Sequence, residues 1–308
     1  MTVAVVDLAA FEAWDLAVAD AVDHACRETG FLVLAGHGVP EGEVAALRAA
    51  VRAFFDAEAG LKEAVRAGPG KPYGYLGLGA EALARSKGAA TPPDLKESFN
   101  GGPLSVPAEE TDPDALAFCY APTPWPELAG FREAWEAYYR RMEGLAARVM
   151  ALFAVALGRD AAFFASAIDA PISALRALNY PATDRPAEAG QQRAGAHTDY
   201  GSLTILLPDD HSRGLEIRAP SGDWMAVDPV PGAFVVNIGD LMELWTGGRW
   251  RSTLHRVVVP EEMAGQRRMS LAFFHQPNWH AEVRPMEGGQ KSVMSGPYLM
   301  GKFAAATA

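Results

Sequence analysis

The sequence predicts a mainly β protein with flanking helices, its strands folded as a sandwich or jelly roll. Two patterns carry that expectation. From Ile172 onward the chain breaks into short apolar or β-branched runs separated by turn signals, about eight in all. Ahead of them, longer segments repeat their apolar residues at three- and four-residue steps, as surface helices do. The helical first half then reads as a support layer for the β second half. No linker, repeat or low-complexity segment divides them. The expectation is one domain over residues 1–308: helix-rich over 1–170, a jelly-roll core over 171–280 and a C-terminal segment over 281–308.

In chain order, Val3 to Leu8 reads as a strand and Phe11 to Thr29 as a helix closed by Gly30. Phe31 to Ala35 is strand-like, and Gly36-His37-Gly38-Val39-Pro40 is a turn. Glu41 to Phe55 is a second amphipathic helix. Gly68 to Gly79 and Asp94 to Gly102 read as irregular, and such loops often carry function. Trp125 to Leu157 is the longest helix, with Phe131, Trp135, Tyr138, Met142, Leu145, Val149 and Leu152 forming a core stripe. The strands expected after it are Leu175 to Tyr180, Gly195 to Thr198, Leu203 to Leu207, Leu215 to Arg218, Trp224 to Val227, Ala233 to Ile238, Arg251 to Val259 and Met269 to His275. Asp240 to Trp245 reads as a short helical turn and Lys291 to Ala306 as a closing helix.

Composition narrows the function classes. Apolar residues make up 49 % of the 308, which suits a globular core, and the formal net charge is −11. That balance offers no basic footprint for nucleic acid or an anionic membrane. No run reaches the roughly 18 to 20 apolar residues that span a bilayer. Cys26 and Cys119 are too few for a disulfide framework or a thiolate metal site. With no basic, apolar leader at the start, a reducing cytoplasm is the expected home. No obligate protein partner is evident, and a small-molecule substrate is expected.

The residues that carry chemistry lie between Arg193 and Ser270. His197 and Asp199 are two apart, so on a strand both side chains leave the same face. His255 follows after 55 intervening residues and opens the run Arg256-Val257-Val258-Val259. Two imidazoles and one carboxylate are the ligand set that suits non-haem Fe(II), leaving positions open for other groups. Ala194-Gly195-Ala196 is small enough to let a metal site lie near the backbone. Downstream, Arg268 and Ser270 also share a strand face, and a guanidinium beside a hydroxyl is a good receptor for a carboxylate.

Four blocks carry a resemblance: LRALNYP from Leu175, HTDYGSLTILL from His197, VNIGDLMELWTGGRWRSTLHRV from Val236 and RRMSLAFFHQP from Arg267. In this order the sequence resembles the isopenicillin N synthase-like branch of the Fe(II)/2-oxoglutarate-dependent oxygenases, with weaker similarity over nearly the whole chain. The resemblance implies a double-stranded β-helix with an N-terminal helical layer. It implies Fe(II) on His197, Asp199 and His255, with 2-oxoglutarate held by Arg268, Ser270 and Tyr180. It also implies oxidation of an unactivated C–H by O2 with release of succinate and CO2. Asp199 points to hydroxylation, desaturation or cyclisation, because halogenating relatives lack the carboxylate. Leu178 stands where plant relatives have asparagine, and the stretch from Glu261 to Gln266 lengthens the gap between His255 and Arg268.

In similar enzymes the irregular stretches flank the active-site mouth, which makes Tyr73, Tyr75, Phe99 and Asn100 substrate-side candidates; Phe274, on the expected Met269 to His275 strand, is a further one. Leu203, Ile205, Phe234, Phe273 and Phe274 are expected to wall the site against water. His275 is a further candidate for the pocket, while His24, His37 and His211 read as structural. Asn237 and Asp240 read as turn-formers. Three alternatives stay open: an oxidase of the isopenicillin N synthase type that uses no 2-oxoglutarate, a cupin-like binding module, and a zinc hydrolase.

Overall fold

The computed structural model describes residues 2–13, 15–84, 92–182, 191–209, 213–260, 265–289 and 291–307, the side chains of 306–307 excepted. His211 and residues 261–264 of the lengthened gap lie outside that set. The chain runs β1 (Ala4–Asp7), α1 (Leu8–Glu12), α2 (Ala17–Glu28), β2 (Phe31–Ala35), α3 (Glu41–Asp56) and α4 (Ala59–Glu63). It continues through β3 (Gly74–Leu76), β4 (Glu97–Gly101), α5 (Pro113–Ala117) and α6 (Phe131–Ala156). Then come β5 (Ala174–Tyr180), β6 (Ala194–His197), β7 (Leu203–Leu207), β8 (Leu215–Arg218), β9 (Trp224–Ala226) and β10 (Phe234–Ile238). It closes with α7 (Asp240–Trp245), β11 (His255–Val257), β12 (Arg268–His275), β13 (Glu282–Val283), β14 (Val293–Met294) and α8 (Ser295–Thr307).

Among the described residues twelve strands build two facing sheets, and β13 and β14 pair apart from them. The major sheet has eight strands in the order β1-β2-β10-β7-β12-β5-β4-β3, and the minor sheet four in the order β6-β11-β8-β9. The alternation of side chains along each strand divides the major sheet into two environments. Leu175, Ala177, Leu203, Ile205, Phe234, Met269, Leu271 and Phe273 join α3 and α6 in one large core on the outer face. Phe31, Leu206, Val235 and, from the minor sheet, Leu215, Ile217 and Val257 fill one end of the space between the sheets. The other end is left to polar side chains.

α6 carries the expected stripe, every member of it buried. It starts at Phe131, later than Trp125, because Pro124 and Pro126 cannot sit inside a helix and Gly130 caps it in the left-handed region. The Phe11 to Thr29 helix is broken in two, α1 and α2. The expected strand from Arg251 to Val259 is paired only over His255–Val257. A register shift falls between those two residues, and the Thr253 carbonyl is taken by the His255 ring.

The two stretches read as irregular are the larger correction. Each holds a strand, β3 and β4, which extend the major sheet through Glu97↔Asn179 to Gly101↔Leu175. Glycine and proline around short strands hid their period.

Candidate active site

The three proposed metal ligands converge from the minor sheet and the turn that leaves it. β6 and β11 pair so that His197 stands opposite His255, their rings 4.3 Å apart. Asp199 follows β6 in the turn that leads into β7. His197 Nε2 and His255 Nε2 each lie 3.8 Å from Asp199 Oδ1. One donor atom from each residue falls within 4.8 Å of the other two, and among the described residues no other histidine, cysteine or carboxylate group makes such a cluster.

Their neighbours set the donor atoms. The Nδ1 of His197 lies 2.7 Å from the Gly195 carbonyl and that of His255 3.0 Å from the Thr253 carbonyl. A carbonyl can only accept, so both Nδ1 atoms carry the proton and both Nε2 lone pairs face Asp199. Burial and the nearby His255 push the His197 pKa well down, so the ring is neutral at neutral pH. Burial of Asp199 opposes its charge. The His255 and His197 imidazoles and hydrogen bonds from Thr204 Oγ1 (2.6 Å) and Asn237 Nδ2 (2.8 Å) outweigh that and hold its carboxyl below the ordinary range. Two imidazoles that present Nε2 toward an oriented carboxylate fit a divalent cation such as Fe(II).

Thr204 and Asn237 were not expected in this role. Asn237 read as a turn-former; it stands on β10 opposite Thr204 on β7, and both reach Asp199. The available signal was one polar residue inside each otherwise apolar run, LTILL and FVVNI. Gly195 has a different reason from the one expected. A Cβ there would lie 2.8 Å from the Ala84 backbone nitrogen, and the Gly195 N–H donates to Asp94.

Arg268, Ser270 and Tyr180 are brought together on the face of the major sheet that looks at the metal ligands. Arg268 pairs in register with Tyr180, and Ser270 with Leu178. The Arg268 guanidinium lies 5.0 Å from the Tyr180 ring centre, and its Nη1 is 3.4 Å from Ser270 Oγ. Arg193, unremarked in the sequence, approaches the same ring from the β6 side, at 6.0 Å. Such a cluster suits a carboxylate guest.

The substrate-side candidates divide. Phe274 is half-buried beside Leu178, Tyr180 and Ala272 and stands opposite Thr204, so it faces the metal centre. Asn100 stands opposite Arg176 on the same face. Tyr75 and Phe99 point the other way. Phe99 is fully buried against Phe54, Phe131 and Trp135, and Tyr75 packs on Phe54 while its hydroxyl donates to Glu97. The Tyr73 hydroxyl donates to the Cys119 carbonyl. Of the expected apolar wall, only Phe274 faces the site; Leu203, Ile205, Phe234 and Phe273 pack under the helices. His275 alternates to the helix side as well and bonds to Ser202. His37 binds the Gly232 carbonyl and the Val39 N–H, as a structural residue does.

Comparison with known proteins agrees with this geometry. Residues 171–277 match the model of the 2OG-Fe(II) oxygenase superfamily, and residues 3–128 that of the non-haem dioxygenase in morphine synthesis N-terminal region. The chain is 36 % identical over 294 residues to a validamycin A dioxygenase of Streptomyces hygroscopicus subsp. limoneus, covering 92 % of this chain and 80 % of the relative. It is 34 % identical over 278 residues to a homoarginine-6-hydroxylase of Oryza sativa subsp. japonica, covering 88 % and 81 %. The crystal structure of a full-length Neurospora crassa protein in complex with alpha-KG and thymine superposes with a TM-score of 0.85 at 29 % identity, over 98 % of this chain and 96 % of that one. The shared fold, the sequence similarity over most of both chains and the ligand triad found here have one reading: the chain belongs to the isopenicillin N synthase-like family of Fe(II)/2-oxoglutarate-dependent oxygenases, enzymes with a double-stranded β-helix core that use Fe(II), 2-oxoglutarate and O2.

Proposed function

We propose that this enzyme hydroxylates an unactivated C–H of a small, neutral molecule rich in hydrogen-bonding groups. Bound Fe(II) and 2-oxoglutarate supply the oxidising power, with O2 converting the keto acid to succinate and CO2 while one oxygen atom goes to the product. His197, Asp199 and His255 hold the metal. Arg268 and Ser270 take the far carboxylate of 2-oxoglutarate, and Tyr180 backs the Arg268 guanidinium. Phe274 shields the reacting centre from water. The relatives named as dioxygenases and the neighbour solved with alpha-KG favour this reading over the 2-oxoglutarate-independent oxidase.

The observation that carries the substrate class is a row of polar atoms on the site face of β4 and β5. Ser98 Oγ, Asn100 Oδ1 and Arg176 Nε are buried and unpartnered. The charges around them cancel. Arg176 Nη2 is 2.6 Å from Glu81 Oε1, and Lys96 Nζ is 3.4 Å from Glu81 Oε2 and 2.7 Å from Asp94 Oδ2. Burial opposes the Glu81 charge, but Arg176 and Lys96 overcome it and hold the carboxyl down at about 2. Two cations against two anions leave the wall close to neutral, so it favours a guest that offers an acceptor to Arg176 and a donor to Asn100. An amide, an imide or neighbouring hydroxyls would do so.

The test is a screen of amide-bearing and polyhydroxylated small molecules for stimulated succinate release, followed by mass spectrometry under isotopically labelled O2. The expected product carries one labelled oxygen, and the succinate the other. A product short of two hydrogens with no label would replace hydroxylation by desaturation or cyclisation. Stimulation confined to anionic compounds would overturn the substrate class.

A further inference from the structure

Two cations in the interior lack the counter-charge that the others have. Lys96 has Asp94 and Glu81, Arg176 has Glu81, and Arg267 has Asp56. Arg193 and Arg268 are 3 % and 1 % exposed, and among the described residues neither has a carboxylate partner. Arg193 Nη1 and Arg268 Nε are buried with no hydrogen-bond partner at all. Burial and the like charge of Arg268 lower the Arg193 pKa. Two unpaired guanidiniums in a dry interior are costly, and an anion between them removes the cost.

Their placement is as specific as their charge. Arg193 enters from the chain leading into β6 on the minor sheet, Arg268 from β12 on the major sheet, and both approach the Tyr180 ring. One donor of Arg193 is already committed, Nη2 giving a 2.6 Å hydrogen bond to the Gln266 carbonyl just ahead of β12. That bond fixes the plane of the guanidinium and leaves Nη1 to a guest.

We propose that Arg193 is a second binding residue for the far carboxylate of 2-oxoglutarate, gripping it from the minor sheet while Arg268 and Ser270 grip it from the major sheet. This rests on the co-substrate placement proposed above. The clamp joins the two sheets through the ligand, so binding of the keto acid also draws β6, which carries His197, toward β12.

The test compares two keto acids. 2-Oxobutyrate keeps the keto-carboxylate that chelates iron and lacks the far carboxylate. Under anaerobic conditions the visible band of each chelate with Fe(II) gives a dissociation constant, measured on the parent, Arg193→Gln, Arg193→Lys and Arg268→Gln. Arg193→Gln is expected to weaken 2-oxoglutarate roughly 10- to 100-fold and 2-oxobutyrate less than about twofold, with Arg193→Lys between parent and Gln. Equal weakening of both acids would make Arg193 a structural anchor through Gln266 and overturn the proposal. An unchanged 2-oxoglutarate constant in Arg193→Gln would overturn it too. An Arg268→Gln variant that treats the two acids alike would overturn the co-substrate placement itself, a separate failure. Thermal melting of each variant checks that the fold is intact.

Discussion

The two faces of the eight-stranded sheet are made by the same strands and do opposite work. On the helix side, Phe99, Phe273 and Leu271 are buried among aromatic and aliphatic neighbours, and the charged side chains there have counter-charges or hydrogen-bond partners, with Trp135 Nε1 and Arg267 Nη2 left over. Glu97 accepts from Tyr75, Lys62 and Asn179, and Arg267 donates to Asn179 and Asp56. On the side facing the minor sheet, Ser98, Asn100, Arg176 and Arg268 keep buried polar atoms without partners. Each such atom costs about 1–3 kcal/mol in a dry interior. One step along a strand passes from stability to binding: Phe99 to Asn100, Arg267 to Arg268, Phe273 to Phe274. The cost tolerated on one face is the affinity available to ligands, and the packing on the other face offsets it.

The largest effect should come from truncating one aromatic ring on each face. Phe99→Ala is expected to destabilise the fold by about 3–5 kcal/mol, because the ring fills a site closed by Phe54, Phe131 and Trp135. The anaerobic 2-oxoglutarate titration on the folded fraction should be unchanged, and Phe99→Leu gives a milder form of the same pattern. Phe274→Ala should cost only about 1 kcal/mol and instead impair the coupling of succinate release to product. Urea unfolding and product-to-succinate ratios measure the two. A Phe99 variant with normal stability and altered coupling would erase the division between the faces.

Much of the site was legible in the chain, and the missing part has physical causes. The spacing His197-x-Asp199 and the blocks around His255 and Arg268 point to the ligands, and strand parity correctly puts Arg268 with Ser270. Strand bounds were close wherever a continuous apolar run ends in turn residues, as at Phe31–Ala35, Leu203–Leu207 and Leu215–Arg218. What a run such as LTILL does not show is which side faces the site, since strands covered on both faces lose their alternation. That is why Leu203 and Ile205 were expected at the site and Thr204 was not. β3 and β4 were missed because they are three and five residues long and set among glycines. Contacts between distant segments, such as Asn237 with Asp199, have no trace in local spacing.

A second effect separates the faces by pH. His275 lies on the helix side, 1 % exposed, and burial pushes its pKa down to about 4. In the unfolded chain the ring titrates near 6.5. Between these values the unfolded state binds a proton that the folded state refuses, so stability falls as pH drops below about 6.5 and levels off below about 4. At pH 5 the loss is roughly 2 kcal/mol relative to neutral pH. His275→Gln should lose that part of the dependence. Equal pH profiles for parent and variant in urea unfolding would mean that water reaches the ring.

The smallest effect probes the polar wall itself. Asn100 Nδ2 donates to the Pro72 carbonyl, while Oδ1 has no partner. Asn100→Ala removes both and should raise KM for the prime substrate roughly 10-fold, with about 1 kcal/mol lost from stability through the Pro72 bond. Asn100→Asp keeps an acceptor toward the substrate and gives up the donor to Pro72. If Oδ1 receives a substrate hydrogen bond, Asn100→Asp holds KM near the parent value while sharing the stability loss. If the residue only braces the edge strand, KM follows stability in both variants. Affinity for 2-oxoglutarate should not move in either variant, because Asn100 stands beside Arg176, two strands away from Ala272 on the strand that carries Arg268.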